Sequence, residues 1–257
     1  MLRRLWQAWR RPSPTVAEAD WQAAYRALPT LARRPAHERL RLQQLALALL
    51  AEKSIEPAGE LTLSTAETLA LGLLAAVPIL NLGLDWYRGW HALVLYPDEF
   101  RSRFEEVDEA GVVHLVEDWR SGESWGRGPL ILSLADVAAA GHGDGYNVVV
   151  HECAHKLDQL DGEANGRPPL HPGMDPAAWS EAFAAAFRDL RRRTLRHLQT
   201  VIDPYAAQSP AEFFAVACEV FFDDPLRLQR GYPAVYEQLA LFYRQDPAVH
   251  CPPPATA

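Results

Sequence analysis

The feature that most constrains this chain is the segment His151-Glu152-Cys153-Ala154-His155, two histidines four positions apart with an acid beside the first. On an α-helix that spacing puts both imidazoles on one face, about 6 Å apart along the axis and within reach of a single ion. Tyr146-Asn147-Val148-Val149-Val150 precedes the motif and Lys156-Leu157 follows, so the segment can lie in a core. The valine run alone reads as strand; the shared face of the histidines decides for a helix over roughly 145–158.

With 9 histidines in 257 residues, a chance HExxH is expected about 0.02 times per chain. The competing reading is a surface helix with two unrelated histidines. A catalytic zinc site takes three protein ligands and leaves one position open. Glu152 stands where a carboxylate can take a proton from zinc-activated water and carry it to a leaving amine.

The third ligand must come from elsewhere. Position 161 is Asp, and the next histidine is His171. Asp158 could reach the site, but its direction on the helix suits bracing a ligand better. The segment Tyr205-Ala-Ala-Gln-Ser-Pro-Ala-Glu212-Phe-Phe-Ala-Val216 sets an acid beside two inward-packing phenylalanines. Two readings of Glu212 stand side by side here: metal ligand, or partner of Ser209 in a capping box.

Composition narrows the class. The net charge of -8 argues against a nucleic-acid-binding surface, which is normally basic. The 3 cysteines, Cys153, Cys218 and Cys251, form no CxxC pair, which fits a reducing compartment rather than a disulfide framework. The arginine-rich start, Met1 to Pro12, leads into no apolar core of a signal peptide. The most apolar stretch, Leu69 to Leu84, is interrupted by Pro78 and Asn81. It falls short of the roughly 20 residues of a membrane span and reads as a buried helix.

The pattern along the chain is α+β, in one domain over 1–257 with flexible tails at 1–15 and 246–257. Helical spacing covers 16–28 and 37–53, with Leu42, Leu45 and Leu49 on one face. Ser64 and Glu67 form a capping-box pattern opening a helix that Pro78 should end. Short strand-type runs follow at His91–Tyr96, Val112–Glu117 and Pro129–Leu134, with a hairpin turn at Asp108–Gly111. Later helices open at Asp175-Pro176, Ser209-Pro210 and Asp224-Pro225, each with an N-cap residue before a first-turn proline.

These residues resemble the Mlc titration factor A family of zinc peptidases. The resemblance is carried by Val148-Val-Val-His-Glu-Cys-Ala-His-Lys-Leu-Asp158, Asp161-Gly162, Ala164-Asn-Gly-Arg167, Pro78-Ile-Leu-Asn-Leu-Gly-Leu-Asp-Trp-Tyr87, Gly145-Tyr-Asn147 and Ser209-Pro-Ala-Glu-Phe-Phe-Ala-Val216. It spans roughly residues 15–245. It implies a mainly helical, zincin-like fold with a small mixed β-sheet beside the HExxH helix. It also implies one zinc held by His151, His155 and Glu212, with Glu152 as general base. The core is similar to the catalytic domain of anthrax lethal factor, where a tyrosine seven residues before the glutamate ligand assists catalysis; Tyr205 stands at that offset. Packing alone is the competing role for Tyr205. The family is cytoplasmic and aminopeptidase-like, acting on peptides, and one branch binds the glucose repressor Mlc. A non-catalytic, repressor-sequestering protein with a structural zinc is the alternative.

Further positions carry paired readings. Glu219 either orients a ligand or pairs with an arginine, and Asn147 caps or braces the motif helix. Cys153 reads as a small buried hydrophobe. The Pro129–Leu134 strand is either an edge that takes substrate by strand addition or a buried central strand. Trp86, Tyr87, Trp90 and Trp119 read as core more readily than as aromatic subsites. Arg191–Arg193 reads as a solvated helix face.

Overall fold

Amphipathic spacing in the first third produces α1 (Glu18–Ala27), the short α2 (Pro29–Ala32) and α3 (Ala36–Glu52), whose Leu42 and Leu49 are fully buried. Leu45 packs against the same core. The structure, a computed structural model, describes residues 16–98, 100–107, 113–120, 122–124 and 128–251. The expected hairpin turn at 108–111, the arginine-rich start and the 252–257 tail lie outside them.

Strand β1 (Ser54–Pro57) leads to α4 (Thr65–Ala76). The capping box forms in full: Ser64 Oγ accepts the Glu67 N–H, and Glu67 Oε2 accepts the Ser64 N–H at 2.8 Å. The helix ends at Ala76, two residues before Pro78, whose ring cannot continue it. Among the described residues no helix is long and apolar enough to cross a membrane.

The sheet follows. β2 (Ala92–Tyr96) pairs in parallel with β1, Ser54 opposite Ala92. A two-stranded antiparallel excursion comes next, β3 (Phe100–Val107) with β4 (Val113–Arg120). Then β5 (Gly122–Ser124) and β6 (Leu130–Ser133) complete a mixed sheet in the order β1-β2-β6-β5. Leu93, Leu95, Leu130 and Leu132 alternate into the core at 0% exposure, the period-2 pattern of half-buried strands. β6 pairs with β2 on one side and β5 on the other. Of the two readings for this strand, the structure takes the central one, and β1 and β5 are the edges.

Helices fill the rest: α5 (Leu134–Ala139), α6 (Val148–Asp158), α7 (Pro176–Leu195), a 3-10 turn at Pro204–Ala207, α8 (Pro210–Asp223), α9 (Pro225–Gly231) and α10 (Pro233–Tyr243). Asp175, Asp203, Ser209 and Asp224 each accept a backbone N–H just inside a proline-opened helix or turn. Each satisfies an N-terminal donor that has no partner within the helix. α8 is buried from Phe213 to Asp223 and forms the spine of the core, with Trp179 and Phe183 stacked beside Phe213 and Phe214. Trp86 packs edge-on to His171 and Phe242, while Tyr87 and Trp90 are buried, so all three serve the core. The Trp119 side chain lies outside the described residues. Arg191 and Arg192 are exposed, and Arg192 and Arg193 pair with Asp189.

One expectation is corrected. Residues 246–251 are ordered structure: Pro247–His250 forms a 3-10 turn, Tyr236 donates its hydroxyl to Asp246, and His250 lies 3.3 Å from Glu38. These polar ties to α10 and α3 leave no periodic trace in the sequence.

Candidate metal centre

α6 and α8 pack against each other, and the cluster sits between them. They run antiparallel, because Asn147 at the start of α6 meets Glu219 toward the end of α8. The motif helix begins at Val148 because Asn147 caps it, its Oδ1 accepting the Val150 N–H at 3.1 Å.

His151 and His155 lie one turn apart with their Nε2 atoms 3.2 Å from each other. Glu212 reaches both: its Oε2 is 3.1 Å from His151 Nε2 and its Oε1 is 3.5 Å from His155 Nε2. Among the described residues these three form the cluster whose donor atoms lie within 4.8 Å of one another. The capping alternative for Glu212 is only half realised. Ser209 Oγ accepts the Glu212 N–H at 3.1 Å, but the carboxylate turns to the histidines instead of returning to Ser209.

Glu219 orients His151. Its Oε1 lies 2.7 Å from His151 Nδ1, and its Oε2 accepts the Asn147 N–H at 2.6 Å. One carboxylate therefore aims a ring and satisfies a donor at a helix start. With Nδ1 engaged, the Nε2 of His151 is the nitrogen turned toward Glu212, the arrangement by which a carboxylate fixes a metal-binding imidazole.

The electrostatics suit a cation. Burial works against a charged His151, but Glu212 and Glu219 outweigh it and push its pKa well above the usual histidine value. Burial likewise pushes the Glu212 carboxyl up, yet the two imidazoles outweigh it and hold it well below the usual carboxylate range. The site thus favours positive charge between the imidazoles and the carboxylate. The donor set supports that fit: Glu212 Oε2 is buried, close to His151 Nε2, and out of line for a hydrogen bond to it. Two imidazoles and one carboxylate are borderline-to-hard ligands of the kind zinc takes in catalytic sites.

Glu152 is buried, 4% exposed, and burial raises its carboxyl pKa against the pull of His151. It lines a cleft of about 510 Å³ with His151 and Tyr205. The Tyr205 ring is 6.3 Å from that of His151 and is partly exposed. Val148, Val216, Val220 and Ile202 give the cleft an apolar floor. Cys153 faces the core at 0% exposure, where burial pushes its thiol up to about 12.

Three contributors carried no sequence signal of their own. Lys156, buried beside His155, donates to the Gly128 carbonyl at 2.9 Å and ties α6 to the approach to β6. Segment 200–203 walls the cleft. Asp223 holds the loop before α6. Asp158, expected to brace a ligand, instead accepts the Gly166 N–H at 2.7 Å.

Comparison with known proteins finds relatives along most of the chain. The chain is 37% identical over 243 residues to Mlc titration factor A of Edwardsiella ictaluri, covering 93% of this chain and 92% of that one. It is 36% identical over 250 residues to Mlc titration factor A of Yersinia enterocolitica, covering 96% and 92%. The counterpart from Klebsiella pneumoniae subsp. pneumoniae is 35% identical over 233 residues, covering 90% and 88%. A family model described as glucose-regulated metallo-peptidase M90 matches residues 3–244, and the chain belongs to that family.

Proposed function

We propose that this chain is a zinc-dependent peptidase with one catalytic domain, in which His151, His155 and Glu212 hold the ion and Glu152 is the general base. The observation that supports it most is the convergence of the two Nε2 atoms and the Glu212 carboxylate, with the buried Glu152 next in sequence to His151 and outside that cluster. Bound zinc supplies Lewis acidity, which polarises the scissile carbonyl and makes water a proton donor near neutral pH. Glu152 receives that proton, its basicity raised by burial, and delivers it to the leaving amine. Tyr205, on the cleft rim, donates its hydroxyl to the oxyanion or the leaving amine. The valine-lined floor takes an apolar side chain of the peptide.

Within that reading the enzyme is aminopeptidase-like and cytoplasmic, in keeping with three free cysteines. The relatives' name, Mlc titration factor A, supports a second activity, binding of a sugar-responsive transcriptional repressor. A repressor-sequestering protein with a merely structural zinc would have no use for Glu152 in a cleft beside the cluster.

The test is Glu152→Gln. The variant should keep its zinc while peptide hydrolysis falls by about 100- to 10,000-fold. Unchanged turnover would sink the mechanism. A pull-down of the Mlc-type repressor with the same variant separates binding from catalysis.

A further inference from the structure

Two aspartates occupy matching places in the helix pair that carries the cluster. Asp158 is the last residue of α6, and Asp223 is the last residue of α8. Both are buried, at 0% and 4% exposure, and neither belongs to the ligand set. In each, one carboxylate oxygen has no hydrogen-bond partner among the described residues while the other is committed to glycine amides.

Asp158 Oδ2 accepts the Gly166 N–H at 2.7 Å. Gly166 has φ +81 and is pressed against the Pro210 carbonyl, where any Cβ would collide. Trp179 Nε1 donates to the Gly166 carbonyl at 3.2 Å and holds its other side. Pro210 is the first residue of α8, two before Glu212. The end of α6 therefore sets the start of α8.

Asp223 closes the opposite end. Its Oδ2 accepts the N–H of Gly143 at 2.9 Å and of Gly145 at 2.7 Å. Gly145 has φ +91, and the Arg227 guanidinium fills the place of a Cβ. Gly145 stands two residues before Asn147, the cap of α6. The end of α8 therefore sets the start of α6.

We infer that Asp158 and Asp223 are positioning residues, a reciprocal clasp that fixes α6 lengthwise on α8 and so keeps His151 and His155 in reach of Glu212. One residue along a helix is a rise of about 1.5 Å. Zinc bonds to nitrogen and oxygen span only about 2.0–2.2 Å. A slip of a fraction of a residue therefore takes a ligand out of range. Left-handed φ favours glycine at Gly143, Gly145 and Gly166, and at Gly166 the Pro210 carbonyl also leaves no room for a Cβ.

The inference rests on the metal centre proposed above, and its test reads metal rather than turnover. Zinc affinity of the full chain is measured by competition with a chromophoric chelator, the visible spectrum is recorded with cobalt, and Tm is taken for each variant. Asp158→Ala and Asp223→Ala should bind zinc about 10- to 100-fold more weakly and alter the cobalt spectrum. Asp158→Asn and Asp223→Asn, whose amide oxygen accepts the same N–H groups, should recover most of the affinity. Leu42→Val, a buried change in α3, should lower Tm and leave affinity as in the wild type. If an alanine variant does not fold, Gly166→Ala, which keeps both aspartates and displaces Pro210, should show the same loss. Alanine variants that lose no more affinity than Leu42→Val, or asparagine variants that rescue nothing, would overturn the clasp and leave the peptidase reading standing. A wild type that binds no zinc would remove the metal centre and this inference together.

Discussion

Two serine-glutamate pairs with the same spacing end in different places. Ser64 and Glu67 close a reciprocal box, while Glu212 leaves Ser209 half-capped and turns to His151 and His155. Both share the pattern Ser-x-Ala-Glu; what distinguishes Glu212 is a pair of imidazoles contributed from far along the chain. The shared face of His151 and His155 was thus legible, because i,i+4 spacing alone sets it. The role of Glu212, whose partners lie on another helix, was not legible, and there the family's matched string carried the reading. Tyr205 offers a residue-scale prediction. Its ring is near His151 but its hydroxyl is the reactive part, so Tyr205→Phe should lower kcat by roughly 100-fold with little change in KM. Steady-state kinetics on one peptide would decide it; a loss confined to KM would assign Tyr205 to substrate binding.

Element boundaries followed punctuation. Asp175-Pro176, Ser209-Pro210 and Asp224-Pro225 start helices where an N-cap and a first-turn proline predict them. The short β1 and β5 were missed, since each is only a few residues long and takes its place from pairing with β2 or β6 rather than from a pattern of its own. Asp223, at the end of α8, gives an element-scale prediction. Burial, with Asp144 adding to it, raises its pKa from 3.8 to about 6, so the folded state prefers the neutral carboxyl. Its contribution to stability is complete below the unfolded value and is lost as pH rises through about 6. Asp223→Asn cannot ionise. Its Tm relative to wild type should therefore climb between about pH 4 and 6 and level off above. A Tm difference that stays flat over that window would contradict the assigned shift.

At the scale of the molecule, one hydrophobic cluster runs from Trp21 in α1 to Tyr243 in α10 and includes Val149, Ala154, Phe214 and Cys218 of the ligand-bearing helices. The helices that carry His151, His155 and Glu212 are therefore built into the core. Zinc bound to the folded chain should raise Tm of a single unfolding transition, corresponding to about 4 kcal/mol at a free zinc concentration 1,000 times Kd. A chelator should reverse it. Calorimetry with and without zinc checks both points, and two separate transitions would contradict a single domain.

Cys153 lies inside the motif, next to Glu152, yet its side chain faces the core and its thiol is held protonated by burial. This has a bearing on inhibitor profiling. Thiol alkylation needs an accessible thiolate, so iodoacetamide should leave peptide hydrolysis intact while a zinc chelator abolishes it. A cysteine inside the motif is thereby no handle for covalent inhibitors, and compounds directed at this centre must compete for the metal or for the valine-lined cleft beside it.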